Sequence, residues 1–284
     1  MISVIIPCHN EELVLGALLS SLAGQSGLPR AHGSEIIVVA NACSDKTCAV
    51  AEAARPQLEQ AGYTLQVIDL PEPGKARALN IADGRARFAP RLYVDADVTL
   101  GAEVLAQLRP LLLSDAPVYC SARIEIAPAR SWVSRAYGRF MLAMPFVRDG
   151  VPGMGLYGVS APARGRWGAF PIIHSDDRFV RLQFTPAERR KVPAPYRWPV
   201  PDGLVNLIKV RLRWNEGNRE FTRLYPELLI NDGARNDLRA ALRTVISHPV
   251  DGIAYISVFI STAIWAQFKR RDSAVVWRRG RPMA

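Results

Sequence analysis

RLYVDADV, residues 91–98, begins as a short apolar run and ends with two carboxylates one residue apart. Read as a strand, its alternation sends Val94, Ala96 and Val98 to one face and Tyr93, Asp95 and Asp97 to the other. Like charges that close repel and raise each other's proton affinity, so something positive is expected beside them. Three earlier runs share its character: SVIIP (3–7), EIIVVA (35–40) and TLQVIDL (64–70) are short, rich in β-branched residues and bounded by turn formers. Between these runs, 11–24, 46–61, 74–86 and 101–113 carry Leu and Ala at helical spacing. Strand and helix in alternation predict an α/β fold with a mainly parallel, Rossmann-like sheet flanked by helices, whose ligands gather outside the carboxyl ends of the strands. Polar residues cluster at those ends: HNEE (9–12), NACSDKT (41–47), PEPGKARALN (71–80) and DAD (95–97).

The remaining features bound the function. At 284 residues the chain is long enough for one large domain or two small ones, and 49% hydrophobic with 22% charged residues excludes a disordered tail. A net charge of +10 predicts attraction to nucleic acid, anionic lipid or phosphorylated small molecules, and the basic residues thicken into Lys269, Arg270, Arg271, Arg278, Arg279 and Arg281. Cys8, Cys43, Cys48 and Cys120 form no CxxC pair and have no His at zinc-finger spacing, so they read as reduced, partly buried thiols. No GxGxxG follows the first strand and GxxxxGK[ST] is missing, which excludes a dinucleotide fingerprint and a P-loop. MISVIIPCHN lacks the basic start and apolar run of a signal peptide, so a cytosolic protein is expected. After residue 115 the pattern changes. It reads as a strand over 116–127, an aromatic helix over 131–147, a short strand over 155–160, a helix over 175–182 capped by Ser175, and a Pro-rich loop over 192–201.

Four landmarks, in order, resemble the inverting family 2 glycosyltransferases of the GT-A fold: SVIIPCHNEE, NACSDKT, PGKARALN and the DxD tripeptide DAD. Farther on, GLYGVSAPARGRWGAFP (155–171) resembles the family's Gly-rich acceptor-side segment, SDDRFV (175–180) its Glu-Asp element with the catalytic base, and RLRWNEGNREF (211–221) its Gln-x-x-Arg-Trp region. The resemblance implies a nucleotide-sugar half over 1–114, an acceptor and catalytic-base half over 115–235, and a helical C-terminal extension over 236–284. It departs at Ala40, where many members carry an aspartate that touches the nucleotide base, which leaves Asn41 as the nearer candidate. It departs again at Val210, where processive members have glutamine.

What the resemblance implies chemically is transfer from a nucleotide sugar, UDP-sugar being the family's commonest donor, to a glycan or lipid-linked acceptor. The leaving diphosphate needs a hard divalent cation with oxygen ligands, Mn²⁺ or Mg²⁺. Asp97 matches the direct metal ligand, and Asp95 the position that contacts ribose or a metal-bound water. Inversion is a single in-line displacement and needs one general base. Asp177 matches that base, with Asp176 preceding it; two acids opposing the dipole of a helix start is the plain alternative. Pro7, His9, Asn10, Glu11, Asn41, Asp45, Lys75, Arg77, Ala96, Arg213 and Trp214 complete the expected donor contacts. Lys75 and Arg77 also read as a solvated basic face, Trp214 as core, and His174 as either a further metal ligand or a satisfied loop histidine.

The stretch GIAYISVFISTAIWAQF, 252–268, is uncharged and short for a bilayer span, which takes about 20 apolar residues. With the basic residues to 281 it predicts a helix lying on a membrane, against a buried or dimer-forming helix as the alternative. Nucleic acid is not expected as a partner, and no residue fixes the oligomeric state. The rival functions are a polyprenyl-phosphate sugar transferase and a non-catalytic basic module that binds membrane or nucleic acid.

Overall fold

The computed structural model describes residues 1–29, 33–233 and 238–268; the basic run Lys269–Arg281 lies outside the described residues. Eight strands form one sheet: β1 (Ser3–Cys8), β2 (Glu35–Asn41), β3 (Thr64–Leu70), β4 (Arg91–Val94), β5 (Thr99–Leu100), β6 (Tyr119–Ile126), β7 (Leu156–Val159) and β8 (Arg189–Trp198), in the order β3-β2-β1-β4-β7-β6-β8-β5. β1 pairs in parallel with β2 and β4, and β2 with β3. Beyond β4 the direction reverses, with β7 antiparallel to β4 and to β6, and β5 antiparallel to β8. β1 and β2 are buried along their whole length, as strands covered on both faces must be. Helix Leu15–Ala23 buries Leu15, Leu18, Leu19 and Leu22, and helix Val104–Leu112 buries Val104, Leu105, Leu108 and Leu112. This spacing lays one apolar stripe on the sheet, worth roughly 2 kcal/mol per leucine removed from water.

Several sequence expectations are corrected by local chemistry. The strand expected over 91–98 ends at Val94, and 95–98 is a turn closed by the Val98 N–H on the Asp95 carbonyl, 3.1 Å. The helix expected over 11–24 begins at Leu15, and in the turn before it the Glu11 and Glu12 N–H groups are bonded to the side chains of Thr47 (2.7 Å) and Asp45 (3.1 Å). The helix expected over 46–61 breaks into Thr47–Ala53 and Arg55–Gln60, since Pro56 has no N–H to continue the ladder. The aromatic helix ends at Ala143, and Met144 is extended before Pro145 starts a further turn.

The loop expected over 192–201 is largely strand β8. Val192, Ala194, Tyr196 and Trp198 are buried in strict alternation. β5 pairs only with Tyr196 and Arg197, so the donors missing at Pro193 and Pro195 cost no bond of that two-residue ladder.

The described chain divides into two compact units. One holds Met1–Glu125, Val151–Ile172 and Asp176–Trp198. The other holds Ile126–Gly150, Ile173–Ser175 and the chain from Pro199 onward, and includes helices Trp132–Ala143, Leu204–Leu224, Leu238–Ser247 and Pro249–Phe268. Inside this second unit the buried Arg211 lies 5.2 Å from the Tyr255 ring and 5.1 Å from that of Phe259, and donates to the Tyr137 hydroxyl at 3.0 Å. One guanidinium thereby joins three helices.

Candidate active site

The loops after β1, β2 and β3 are knitted together by their own polar side chains. Asn10 adopts φ 55, in the left-handed region that asparagine tolerates, and its Oδ1 accepts from the backbone N–H of Ser44 (2.7 Å) and Asp45 (3.3 Å). Asp45 accepts from the Thr47 N–H at 3.0 Å as well as from Glu12. Asn41, 1% exposed, donates to the Cys8 carbonyl and accepts from the Gly74 N–H at 3.1 Å. Both ends of its amide are therefore engaged in holding the turn that precedes Lys75. Gly74 itself has φ 137, which few side-chain-bearing residues adopt, and it caps helix Lys75–Arg85.

Lys75 is the positive group that the paired carboxylates call for. Its Nζ lies 2.9 Å from Asp95 Oδ1 and 3.2 Å from Asp176 Oδ2. Asp176 and Asp177 open the short helix Asp176–Arg181, and Asp177 accepts from the Arg178 N–H at 2.8 Å. Burial pushes the Asp176 carboxyl up, Lys75 pulls it back, and Asp177 and Asp95 push it up again, to about 6. Asp177 is raised by burial against the opposing pull of Lys75, its bond from Arg178 and the charge of Arg181. Burial alone would discharge Lys75, but Asp176, Asp95 and Asp177 outweigh it and hold the ammonium firmly protonated. The arrangement offers two carboxyls whose proton affinities are both raised by burial, next to a fixed cation.

Two features that sequence reading missed hold this geometry. The Asp83 side chain, 7% exposed, accepts from Arg91 Nε (3.1 Å), the Tyr93 hydroxyl (2.9 Å) and Arg164 (2.8 Å), fastening the helix that starts at Lys75 to the strand that ends before Asp95. The Gly155 carbonyl accepts the Asp95 N–H at 2.8 Å; a Cβ at Gly155, where φ is +71, would lie 2.7 Å from Trp198 Cδ1 and 2.8 Å from Val98 Cγ2. The glycine-rich run at 155 was the available signal for the second; none pointed to the first.

The other expected residues fall as follows. Asp95 and Asp97 are half-buried and Ala96 is buried. Pro7 is buried in β1, Glu11 is half-buried, His9 contacts the Asn41 carbonyl through Nδ1 at 2.8 Å, and Arg77 faces Glu72 at 3.7 Å on the surface. Ala40 is fully buried. Arg213 and Trp214 are half-buried on helix Leu204–Leu224 of the second unit, where His174 pairs with Glu220 at 3.0 Å. Among the described residues no three His, Cys, Asp or Glu side chains converge to hold a metal unaided. The half-exposed oxygens of Asp95 and Asp97 suit a hard cation that takes its remaining ligands from water and phosphate.

Comparison with known proteins bears on the fold and the family. No curated protein matches the chain. Among solved structures it is similar to the mannosyltransferase PcManGT from Pyrobaculum calidifontis in complex with GDP-Man and Mn²⁺, at 19% identity and TM-score 0.59 over 93% of this chain and 75% of that one. It is similar also to S. aureus TarS 1–349 in complex with UDP, at 16% identity and TM-score 0.54 over 97% and 94%. Against a longer S. aureus TarS chain the identity is 20% and the TM-score 0.52, over 74% of this chain and only 39% of that one. Identities this low show a shared fold. The model described as glycosyl transferase family 2 matches residues 3–155, more than half of the chain and the whole run from β1 to the glycine that supports Asp95; the chain belongs to glycosyl transferase family 2.

Proposed function

We propose that this chain is a metal-dependent inverting glycosyltransferase that moves a sugar from a UDP-sugar to a glycan or lipid-linked acceptor. The observation that supports it most is the Lys75 ammonium between Asp95 and Asp176, which ties the DxD turn to the carboxylate that precedes the candidate base. Asp97, with Asp95, would hold Mn²⁺ or Mg²⁺, and the cation when bound would neutralise the leaving diphosphate. Asp177 accepts the proton of the acceptor hydroxyl, its proton affinity raised by burial against the pull of Lys75. Pro7, His9, Asn10, Glu11, Asp45 and Ala96 shape the donor cleft. Asn41 acts through the backbone it holds, Lys75 and Arg77 face phosphate, and Arg213 and Trp214 serve diphosphate and acceptor sugar. Residues 1–114 then form the donor half, 115–235 the acceptor and base half, and 236–284 an extension for attachment at the cytoplasmic face of a membrane.

Attachment is supported by helix Pro249–Phe268. Within it Pro249–Gln267 is long and apolar enough by composition to cross a membrane, with a mean hydropathy of 1.4 and 22% buried. The same exposed helix favours a second reading, transfer to a polyprenyl phosphate. A screen of nucleotide sugars with Mn²⁺, following nucleotide release and thermal stabilisation, tests the donor assignment. Release from a UDP-sugar that stops on chelation is expected, and metal-independent release or none from any donor refutes it.

A further inference from the structure

Helices Leu238–Ser247 and Pro249–Phe268 are joined by helical bonding through His248, whose N–H donates to Thr244 (3.0 Å) and whose carbonyl accepts from Gly252 (2.8 Å). Along this run Leu242, Ile246, Val250, Ile253, Ile256 and Ile260 recur every three or four residues and are exposed by 41–70%. They form one apolar stripe. One residue round the helix from Leu242 and Ile246 stand Arg243 and Ser247. With His248 they line a cavity of about 270 Å³ shared with Ala143, Pro145 and Arg148.

The charges around the cavity leave it cationic. Arg148 is countered by Asp149, which it meets at 2.7 Å, and Asp251 in the first turn of the long helix is held by Arg139 at 2.6 Å. Among the described residues Arg243 has no carboxylate partner. A cation-lined cavity beside an exposed apolar stripe is the arrangement of a helix lying in a membrane surface, with apolar side chains in the acyl boundary and cations at headgroup level. A second copy of this chain is a poor occupant, because a net charge of +10 would bring like-charged surfaces together.

We infer that this cavity binds the phosphate of an anionic membrane lipid while the stripe beside it enters the bilayer. The inference rests on the proposed membrane attachment and gives it a headgroup site. The test is flotation of the full chain with vesicles of phosphatidylcholine alone or with phosphatidylglycerol, for the intact protein, for Arg243→Gln/His248→Gln, and for Arg85→Gln/Arg190→Gln as an exposed arginine-removing control outside the cavity. Intact protein is expected to favour the phosphatidylglycerol vesicles, the cavity variant to lose about tenfold in partitioning, and the control to stay within about threefold. All three should release nucleotide from the donor equally. Equal flotation of cavity variant and control overturns the headgroup site and leaves attachment standing, as does equal binding of intact protein to both vesicle types. Failure of the intact protein to float with either removes the attachment itself.

Discussion

Replacing Lys75 by methionine keeps most of the side chain's length and removes its charge. At the 3.2 Å that separates Nζ from Asp176, an effective dielectric of about 20 gives roughly 5 kcal/mol of attraction. Lys75 retains 26% exposure, and screening by the water that reaches it halves this to about 2.5 kcal/mol, or about two pH units at 1.36 kcal/mol per unit. A base works when deprotonated, so activity is present above the apparent pKa of the acid pair and is lost as pH falls through it. With Asp176 at about 6 in the intact protein, its titration should move up to about 8 in the variant and carry the acid limb of the pair upward with it. At pH 7 the rate should drop about tenfold and recover near pH 9. Lys75→Arg, which keeps the charge, should leave the limb close to its original place. The assay is the pH dependence of Mn²⁺-supported nucleotide release from the donor. If Lys75→Met lowers the rate equally at every pH with the limb unmoved, the Lys75 charge does not set the proton affinity of the acid pair and the electrostatic argument fails.

Asp97→Ala should abolish metal-dependent thermal stabilisation by UDP while the apo protein still melts cooperatively; stabilisation that persists removes Asp97 as the cation ligand. Asp177→Asn should cut transfer by at least about a hundredfold with donor affinity little changed. If Asp176→Asn is the crippling change and Asp177→Asn the mild one, the base is the other carboxyl. Gly155→Ala should cost about 2–4 kcal/mol in urea denaturation, through its positive φ and its contacts with Trp198 and Val98; an unchanged midpoint would show that the turn yields freely.

β1 and β2 were legible because parallel strands covered on both faces must be continuously apolar, whereas the edge strand β3 was legible from its β-branched residues and bounding turn formers. The alternation in 91–98 is real as burial and misleading as secondary structure: Ala96 and Val98 are buried by a turn that keeps the period of a strand. In 189–198 the reverse happened, and two prolines hid a buried Val-Ala-Tyr-Trp alternation that was present in the sequence. Two-residue β5 carries too little pattern to detect. Lys75 was visible as a basic residue at a helix start, but its two carboxylates come from distant parts of the chain, and only the fold brings them to one ammonium. The same holds for Asp83, which brings Arg91 and Tyr93 of β4 together with the distant Arg164.

The pairing of β4 with β7 has a consequence for biosynthesis. While the chain is being made, β1 to β4 can assemble as soon as Val94 has emerged, yet β4 then borders solvent with its backbone groups open, because its second neighbour is encoded at Leu156–Val159. Asp95 likewise waits for the Gly155 carbonyl, and Lys75 for Asp176. At roughly 5–20 residues per second, a nascent chain spends several seconds with a buried-type strand as its margin, a template for pairing with a neighbouring polypeptide. Fragments that stop before Leu156, the proposed donor half 1–114 among them, keep that margin permanently and are expected to aggregate rather than to bind nucleotide on their own.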